Sequence, residues 1–293
     1  MAITTFHKPT TLQEALALKA QTGKQGVLLA GGTDVLVHIA EGKLHGSVLI
    51  DLTGVESLKA IVPWDGGLSI GAGVTFTDAA MSPQLKPYCG LQEACRSVGS
   101  PQIRNAGTLG GNLSNGSPAA DAAPPLLALG ATVVLQSTEG PRRVPLCDFY
   151  VGKGSTVLAE NEILTAIEVP AMPENGAVVF EKLGLRNALA ISRISLALYV
   201  ETDGRRITLA RAASGSLGLS PMREPALETF LTGVPLEGDW MAEGMRTAAE
   251  QVAQRLAGRA TMPYKRVAVQ GVFENAARKA RAAVEKEGLP CSI

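Results

Sequence analysis

Ser97-Val-Gly-Ser-Pro-Gln-Ile-Arg-Asn-Ala-Gly-Thr-Leu-Gly-Gly-Asn-Leu-Ser-Asn-Gly-Ser-Pro-Ala-Ala-Asp121 holds five glycines and two prolines among hydroxyl and amide side chains. It shows no helical or strand period, and such a segment is not expected to build a core, although apolar regions lie on both sides of it. Glycines let main-chain N–H groups approach a ligand closely and adopt positive φ. Runs of N–H groups in such turns form concavities that take anions. The stretch therefore points to a phosphate-bearing ligand.

A second glycine turn occurs upstream. Val27-Leu28-Leu29-Ala30 reads as a short buried strand, Gly31-Gly32-Thr33-Asp34 follows at once, and Val35-Leu36-Val37-His38-Ile39 opens a helix. Strand, glycine turn and helix together suit a pyrophosphate. The dinucleotide fingerprint G-x-G-x-x-G is absent, and so is its acidic residue at the required offset. One glycine pair alone is an ordinary turn signal; two phosphate-type turns in one chain make a stronger case.

The remainder of the first half alternates short strands and helices. Thr11 is positioned to cap a helix through about Gln21, with Leu12, Ala15, Leu16 and Leu18 on a partial apolar face. Strands are expected at 46–52, 67–72, 131–136, 142–146 and 163–169. Helices are expected at 77–81, 91–98 and 122–129, the last tolerating Pro124 and Pro125 in its first turn. Pro170-Ala-Met-Pro-Glu-Asn-Gly176 is the best domain boundary, giving units 1–175 and 176–293. Beyond it come strands at 177–183, 196–202 and 206–213, with a hairpin at Gly204. Helices then follow around 226–231, 240–257 and 263–286. This order fits an antiparallel sheet with helices on one face.

The 293 residues are 46% hydrophobic with zero formal net charge, as in an ordinary soluble chain of about two domains. Neutral balance gives no support for a nucleic-acid or anionic-membrane partner. No apolar run reaches the roughly 18 residues of a membrane span. The opening Met1-Ala-Ile-Thr-Thr-Phe-His-Lys8 lacks the pattern of a signal peptide. A cytoplasmic protein is expected. Cys89, Cys95, Cys147 and Cys291 form no C-x-x-C pair, so no iron–sulfur cluster is expected on this chain. Cys89 and Cys95, the closest two, read as buried or surface thiols before they read as a redox or metal pair. His7, His38 and His45 all lie near the amino terminus and suggest neither a triad nor a metal site.

Ala30-Gly-Gly-Thr-Asp34, with Gln102-Ile-Arg-Asn-x-Gly-Thr-x-Gly-Gly-Asn112 and Ser117-Pro-Ala-x-Asp121, resembles the FAD-binding subunit of molybdenum hydroxylases. That group includes xanthine, nicotinate and aerobic carbon monoxide dehydrogenases. The resemblance extends through Phe6-x-Lys-Pro-Thr-Thr-Leu-Gln-Glu-Ala15, Asp51-Leu52, Ile70-Gly-Ala-Gly-Val-Thr75 and Glu162-Ile-Leu-Thr-Ala-Ile-Glu-Val-Pro170. It continues with Phe180-Glu-Lys-Leu-x-x-Arg186 and Pro221-Met-Arg223, so it covers nearly the whole chain. It implies an α+β fold: a two-part N-terminal FAD-binding domain of the PCMH type, then a C-terminal antiparallel sheet with helices on one face. The inserted cysteine-rich loop that brings some relatives an extra cluster is not visible here.

The resemblance also implies site residues. Leu29, Ala30, Gly31, Gly32, Thr33, Asp34, Val35 and Leu36 would meet the FAD diphosphate through main-chain groups. Thr108, Leu109, Gly110, Gly111 and Asn112 would line its other side, with Ile103, Asn105 and Ser117 from the same motif. Asp121 matches a position whose carboxylate meets the ribityl chain; its alternative is an N-cap for the helix that follows. Val98 and Leu164 match adenine or backbone contacts and, as aliphatics, suit a core equally well. Lys182 matches a position near the flavin ring or phosphates, against a solvated strand lysine. Ile191 keeps the ring-covering place, while Ala190 stands where many relatives carry an acid, which removes a charge near where a nicotinamide would approach.

No catalytic acid, base or metal ligand is expected, because the flavin carries the chemistry and the protein supplies position and electrostatics. The implied complex adds a subunit with two [2Fe-2S] clusters and a large subunit holding the molybdenum cofactor, as a heterotrimer or its dimer. The reduced flavin would pass electrons to NAD or another acceptor. Ser97–Asn105 and Lys265-Arg-Val-Ala-Val-Gln-Gly-Val-Phe273 favour subunits acting on purines, nicotinate or related N-heterocycles. The alternatives are a standalone FAD reductase of the UDP-N-acetylmuramate-forming type, for which no proton-donor constellation is visible, and a flavin-free scaffold, which would have no need of two exposed anion-binding turns.

Overall fold

A computed structural model of the protein describes residues 3–44, 46–186 and 189–285; His45, Lys286 and Cys291 lie outside this set. The chain begins with β1 (Thr5–His7), α1 (Leu12–Thr22), β2 (Gly26–Leu29), α2 (Val35–Ala40) and β3 (Val48–Asp51). The Thr11 side chain accepts the Glu14 N–H at 3.2 Å, and the Glu14 carboxylate accepts the Thr10 N–H at 3.0 Å, which closes the start of α1. The strands form a parallel sheet in the order β1-β3-β2. β2 therefore delivers Gly31 and Gly32 to the end of this sheet from which α2 departs.

The second part contains β4 (Ile61–Trp64), β5 (Gly67–Gly71), α3 (Phe76–Met81), α4 (Cys89–Ser97), α5 (Pro101–Ala106), α6 (Leu109–Ser114) and α7 (Ala123–Leu129). It continues with β6 (Thr132–Ser137), β7 (Gly140–Pro145), β8 (Tyr150–Gly152), β9 (Ser155–Thr156) and β10 (Ile163–Pro170). A five-stranded antiparallel sheet runs β4-β5-β10-β6-β7. The glycine-rich segment departs from its sequence expectation. It folds as two six-residue helices, capped by the Ser100 and Thr108 side chains, and it contributes Leu109 and Leu113 to the core at 0% exposure. Six residues are too few to display a helical period, and the glycines serve the packing of the turns.

The third part is β11 (Gly176–Leu183), β12 (Ile194–Thr202), β13 (Ile207–Gly215), β14 (Met222–Arg223), α8 (Pro225–Leu231), α9 (Met241–Arg255) and α10 (Met262–Val284). Its four strands are antiparallel in sequence order, and Gly204 turns between β12 and β13 at φ +88°. The whole is an α+β fold. Helices α9 and α10 of this part cover one face, where Leu196, Leu198 and Val200 of β12 meet Val252 and Phe273. Val178, Phe180, Ala197 and Tyr199 turn to the opposite face and join Leu91, Leu126 and Leu127 of α4 and α7. Burial on both faces is why β12 reads as an unbroken apolar run.

Candidate functional site

A cavity of about 690 Å³ opens between the parallel sheet and the antiparallel sheet. Its walls are the turn after β2, the Gly73–Phe76 approach to α3, the α5–α6 junction and the start of β10. Gly31 brings these walls together. A Cβ on Gly31 would stand 1.8 Å from the Ala106 carbonyl oxygen and 2.8 Å from the Gly107 nitrogen. The backbones of the two glycine segments are therefore in direct contact, and only glycine permits it. Gly32 turns the chain into α2 at φ +71°, a conformation that L side chains rarely adopt.

The second glycine pair works differently from its sequence expectation. The Leu109 N–H donates to the Val74 carbonyl at 3.0 Å and the Gly110 N–H to the Ala72 carbonyl at 2.9 Å. Gly111 N–H donates to the Thr108 hydroxyl at 3.1 Å, and Asn112 N–H to the Thr108 carbonyl at 2.9 Å. These four amides hold α6 in place and do not form an open nest. A Cβ on Gly110 would come within 2.5 Å of Ala72, so this glycine allows helix and β5 exit to touch. The wall still has an unmet polar group: the buried Asn112 Oδ1 has no hydrogen-bond partner among the described residues. An acceptor in that position calls for a hydroxyl or amino donor, which sugar and adenine groups carry. Asp34, at the start of α2, makes no capping bond of its own and also faces the cavity.

A second polar cluster joins the cavity's part of the chain to the third part. Lys182 of β11 lies 2.6 Å from Asp121 Oδ2 and donates to the Ser97 carbonyl at 2.9 Å. The Ser192 hydroxyl donates to Asp121 Oδ1. Burial pushes the Asp121 carboxyl above the usual carboxylate range, and the opposing pull of Lys182 and Ser192 offsets this only in part. Lys182 is not a solvated strand lysine, with its side chain 13% exposed. Asp121 does not cap α7, whose N-terminal position is Ala122 with no side-chain capping bond.

Of the sequence-predicted residues, Ala30 to Val35, Asn105, Thr108, Gly110, Gly111, Asn112 and Leu164 line the cavity. Leu29, Leu36, Val98, Ile103, Leu109, Ser117, Asp121, Lys182 and Ile191 stand outside its lining. Leu109 is core at 0% exposure, and Ile191 projects into solvent at 81%. Ser117 is occupied as acceptor for the Ala119 N–H at 3.2 Å. Val98 presents its carbonyl to Arg104 at 3.0 Å. Sequence reasoning missed the apolar lining of Leu28, Leu52, Leu58, Phe76 and Ile163, together with His38 and Asp78. The apolar ones carried no signal, since a lining leucine and a core leucine look alike. Cys95 is a free, fully buried thiol that burial pushes up to about 12, which suits inert packing. Among the described residues no cluster of three or more potential metal ligands occurs, and no helix is long and apolar enough to cross a membrane.

A glycine-closed cavity between two sheets, donor-seeking and largely apolar, backed by an antiparallel sheet domain, is the arrangement of a flavoprotein that holds a dinucleotide cofactor. Residues 2–172 match the family described as the FAD binding domain in molybdopterin dehydrogenase, and residues 180–280 match the CO dehydrogenase flavoprotein C-terminal domain. The nicotinate dehydrogenase FAD-subunit of Eubacterium barkeri is 35% identical over 275 residues, 92% of this chain and 93% of that one. The xanthine dehydrogenase FAD-binding subunit of Escherichia coli O157:H7 is 32% identical over 285 residues, 95% and 96% of the two chains. A solved structure of Cu,Mo-CO dehydrogenase in its cyanide-inactivated form superposes with a TM-score of 0.89 at 26% identity, covering 96% of this chain and 98% of that one. The chain belongs to the family of FAD-binding subunits of molybdenum hydroxylases, and its class of activity is oxidoreductase.

Proposed function

We propose that this chain carries FAD in a complex with an iron–sulfur subunit and a molybdenum-cofactor subunit, receiving electrons from the former and delivering them to NAD or another acceptor. The observation that carries this reading is the contact of Gly31 with Ala106 and Gly107, which joins the two glycine segments around one cavity. In this reading residues 1–175 form the cofactor domain and 176–293 a C-terminal domain that completes the flavin's surroundings. Flavin accepts single electrons and releases them as a pair, so it converts one-electron delivery into two-electron output.

The chain's own residues bind, orient and exclude water. Ala30 to Leu36, with Leu29 behind them, hold the diphosphate on one side, and Thr108 to Asn112 with Ile103, Asn105 and Ser117 bound the other. Asn112 Oδ1 accepts from a cofactor hydroxyl or amine. With FAD bound, Asp121 would accept from ribityl hydroxyls while paired with Lys182, Val98 and Leu164 would make adenine or backbone contacts, and Ile191 would cover the flavin ring. Nicotinate and xanthine dehydrogenase subunits among the relatives favour a purine or other N-heterocycle as the substrate hydroxylated by the large subunit. The assembly is a heterotrimer or its dimer, working in the cytoplasm.

Purification of the full chain, with an absorption spectrum before and after soaking in FAD, tests the cofactor assignment. Bound flavin absorbance is expected, and a folded protein that stays colourless would overturn it. Co-purification of an iron–sulfur subunit tests the complex; a chain that reduces its own substrate without partners would instead be a standalone reductase.

A further inference from the structure

Ser216 is one of two non-glycine residues at positive φ among the described residues, at +61°. A serine held in the left-handed region is unusual unless its surroundings fix it there. Three contacts do so. Its N–H donates to the Pro118 carbonyl at 2.6 Å, its hydroxyl donates to the Ser192 carbonyl at 2.8 Å, and its own carbonyl accepts from Lys265 of α10. Gly215 beside it allows the approach, because a Cβ there would stand 2.4 Å from Ser195 Oγ and 3.3 Å from the Pro118 oxygen.

Both chain segments that Ser216 grips lead to one carboxylate. Pro118 lies in the turn closed by the Ala120 N–H on the Ser117 carbonyl, directly before Asp121, and Ser192 is the residue whose hydroxyl donates to Asp121 Oδ1. Lys182 holds the other carboxylate oxygen from β11. We infer that Ser216 is a positioning residue: its side chain and backbone set the direction of the Asp121 carboxylate through Ser192 and Pro118. The inference rests on the proposed contact of Asp121 with FAD. The three parts bridged are the glycine-rich segment, the loop before β12 and the first turn of α10. The aim of the carboxylate is therefore set partly by the C-terminal domain.

The experiment is FAD titration of the full chain, followed by flavin fluorescence, in wild type, Ser216→Ala, Ser216→Gly, Ser192→Ala and the double variant of Ser216→Ala with Ser192→Ala. Melting curves confirm that each is folded. Loss of a hydrogen bond that orients a charged group predicts a roughly tenfold higher FAD dissociation constant for both Ser216 variants. Ser216→Gly relieves the backbone and keeps the N–H to Pro118, so it melts no lower than wild type and still binds weakly. In the Ser192→Ala background the Ser216→Ala effect shrinks below about twofold. Wild-type affinity in Ser216→Gly, or an undiminished effect in the Ser192→Ala background, would overturn the inference while leaving FAD binding intact. Failure of the wild-type chain to take up FAD would overturn the functional reading and this inference with it.

Discussion

At the residue scale, Gly31 and Gly32 were legible as a turn in the sequence, yet their different reasons were not. Gly32 needs its positive φ; Gly31 needs the absence of a side chain beside Ala106. Gly32→Ala should therefore cost about 1–2 kcal/mol of backbone strain, with the cavity retained. Gly31→Ala cannot be accommodated unless the two glycine segments separate, so FAD uptake measured by flavin absorbance should fall more than tenfold and more than in Gly32→Ala. Equal behaviour of the two variants would refute the close approach as the cause. Glu162 offers a separate test by pH. Its carboxylate receives the Arg142 guanidinium, at 2.8 Å for Nη2, and the Ala159 N–H at 2.8 Å. The Arg142 bond, ahead of that N–H, holds it below the usual glutamate range. A carboxyl depressed in the folded state adds stability above its unfolded pKa of about 4.3, and that stability is lost as pH falls through the folded value. The melting-temperature gap between wild type and Glu162→Gln should be full at neutral pH and close below about pH 4; a gap independent of pH would contradict it.

At the scale of elements, the sequence revealed those with a period long enough to count or a sharp boundary. Thr11 announced α1, and the Val27–Ala30 run followed by two glycines announced β2 and α2. The elements missed were short or lay on an edge. β1 is three residues, and β4 reads Ile-Val-Pro-Trp, where Pro63 argues against a strand. β4 escapes that argument because it is the edge of its sheet, where proline's missing donor faces no neighbour on one side. In the glycine-rich segment, the caps Ser100 and Thr108 were visible but overshadowed by the glycines between them. Helix α4 shows the same economy of contact as the site. A Cβ on Gly90 would meet the Val179 carbonyl carbon at 2.7 Å and the Val178 oxygen at 2.9 Å, so α4 lies directly on the backbone of β11. Gly90→Val should push the two apart and lower stability by about 1–3 kcal/mol or more, read as a lower denaturant midpoint. An unchanged midpoint would show that α4 can shift freely.

At the scale of the whole molecule, two sequence-defined units share one core. Phe180 and Tyr199 from the C-terminal sheet are packed in the same cluster as Leu91, Leu126, Phe149 and Ile167 from the N-terminal part. Polar ties follow the same seam: Lys279 of α10 lies 2.8 Å from Glu181 Oε2, donates to the Phe180 carbonyl at 2.9 Å and pairs with Glu93 of α4. Lys182 adds its bridge to Asp121. Removing the C-terminal part would expose the faces of α4 and α7, and removing the N-terminal part would expose one side of β11, β12 and β13. Each full exposure of a large apolar side chain costs about 1.5–3 kcal/mol, and several occur on each side. Opening either half therefore strips one packed face from the other. The full chain should unfold in one calorimetric transition, with equal calorimetric and van't Hoff enthalpies. FAD should raise the temperature of that single transition, including for probes placed in the C-terminal sheet. Two resolved transitions, with only the first responding to FAD, would mean that the seam carries little energy and that the C-terminal domain cannot influence the cofactor.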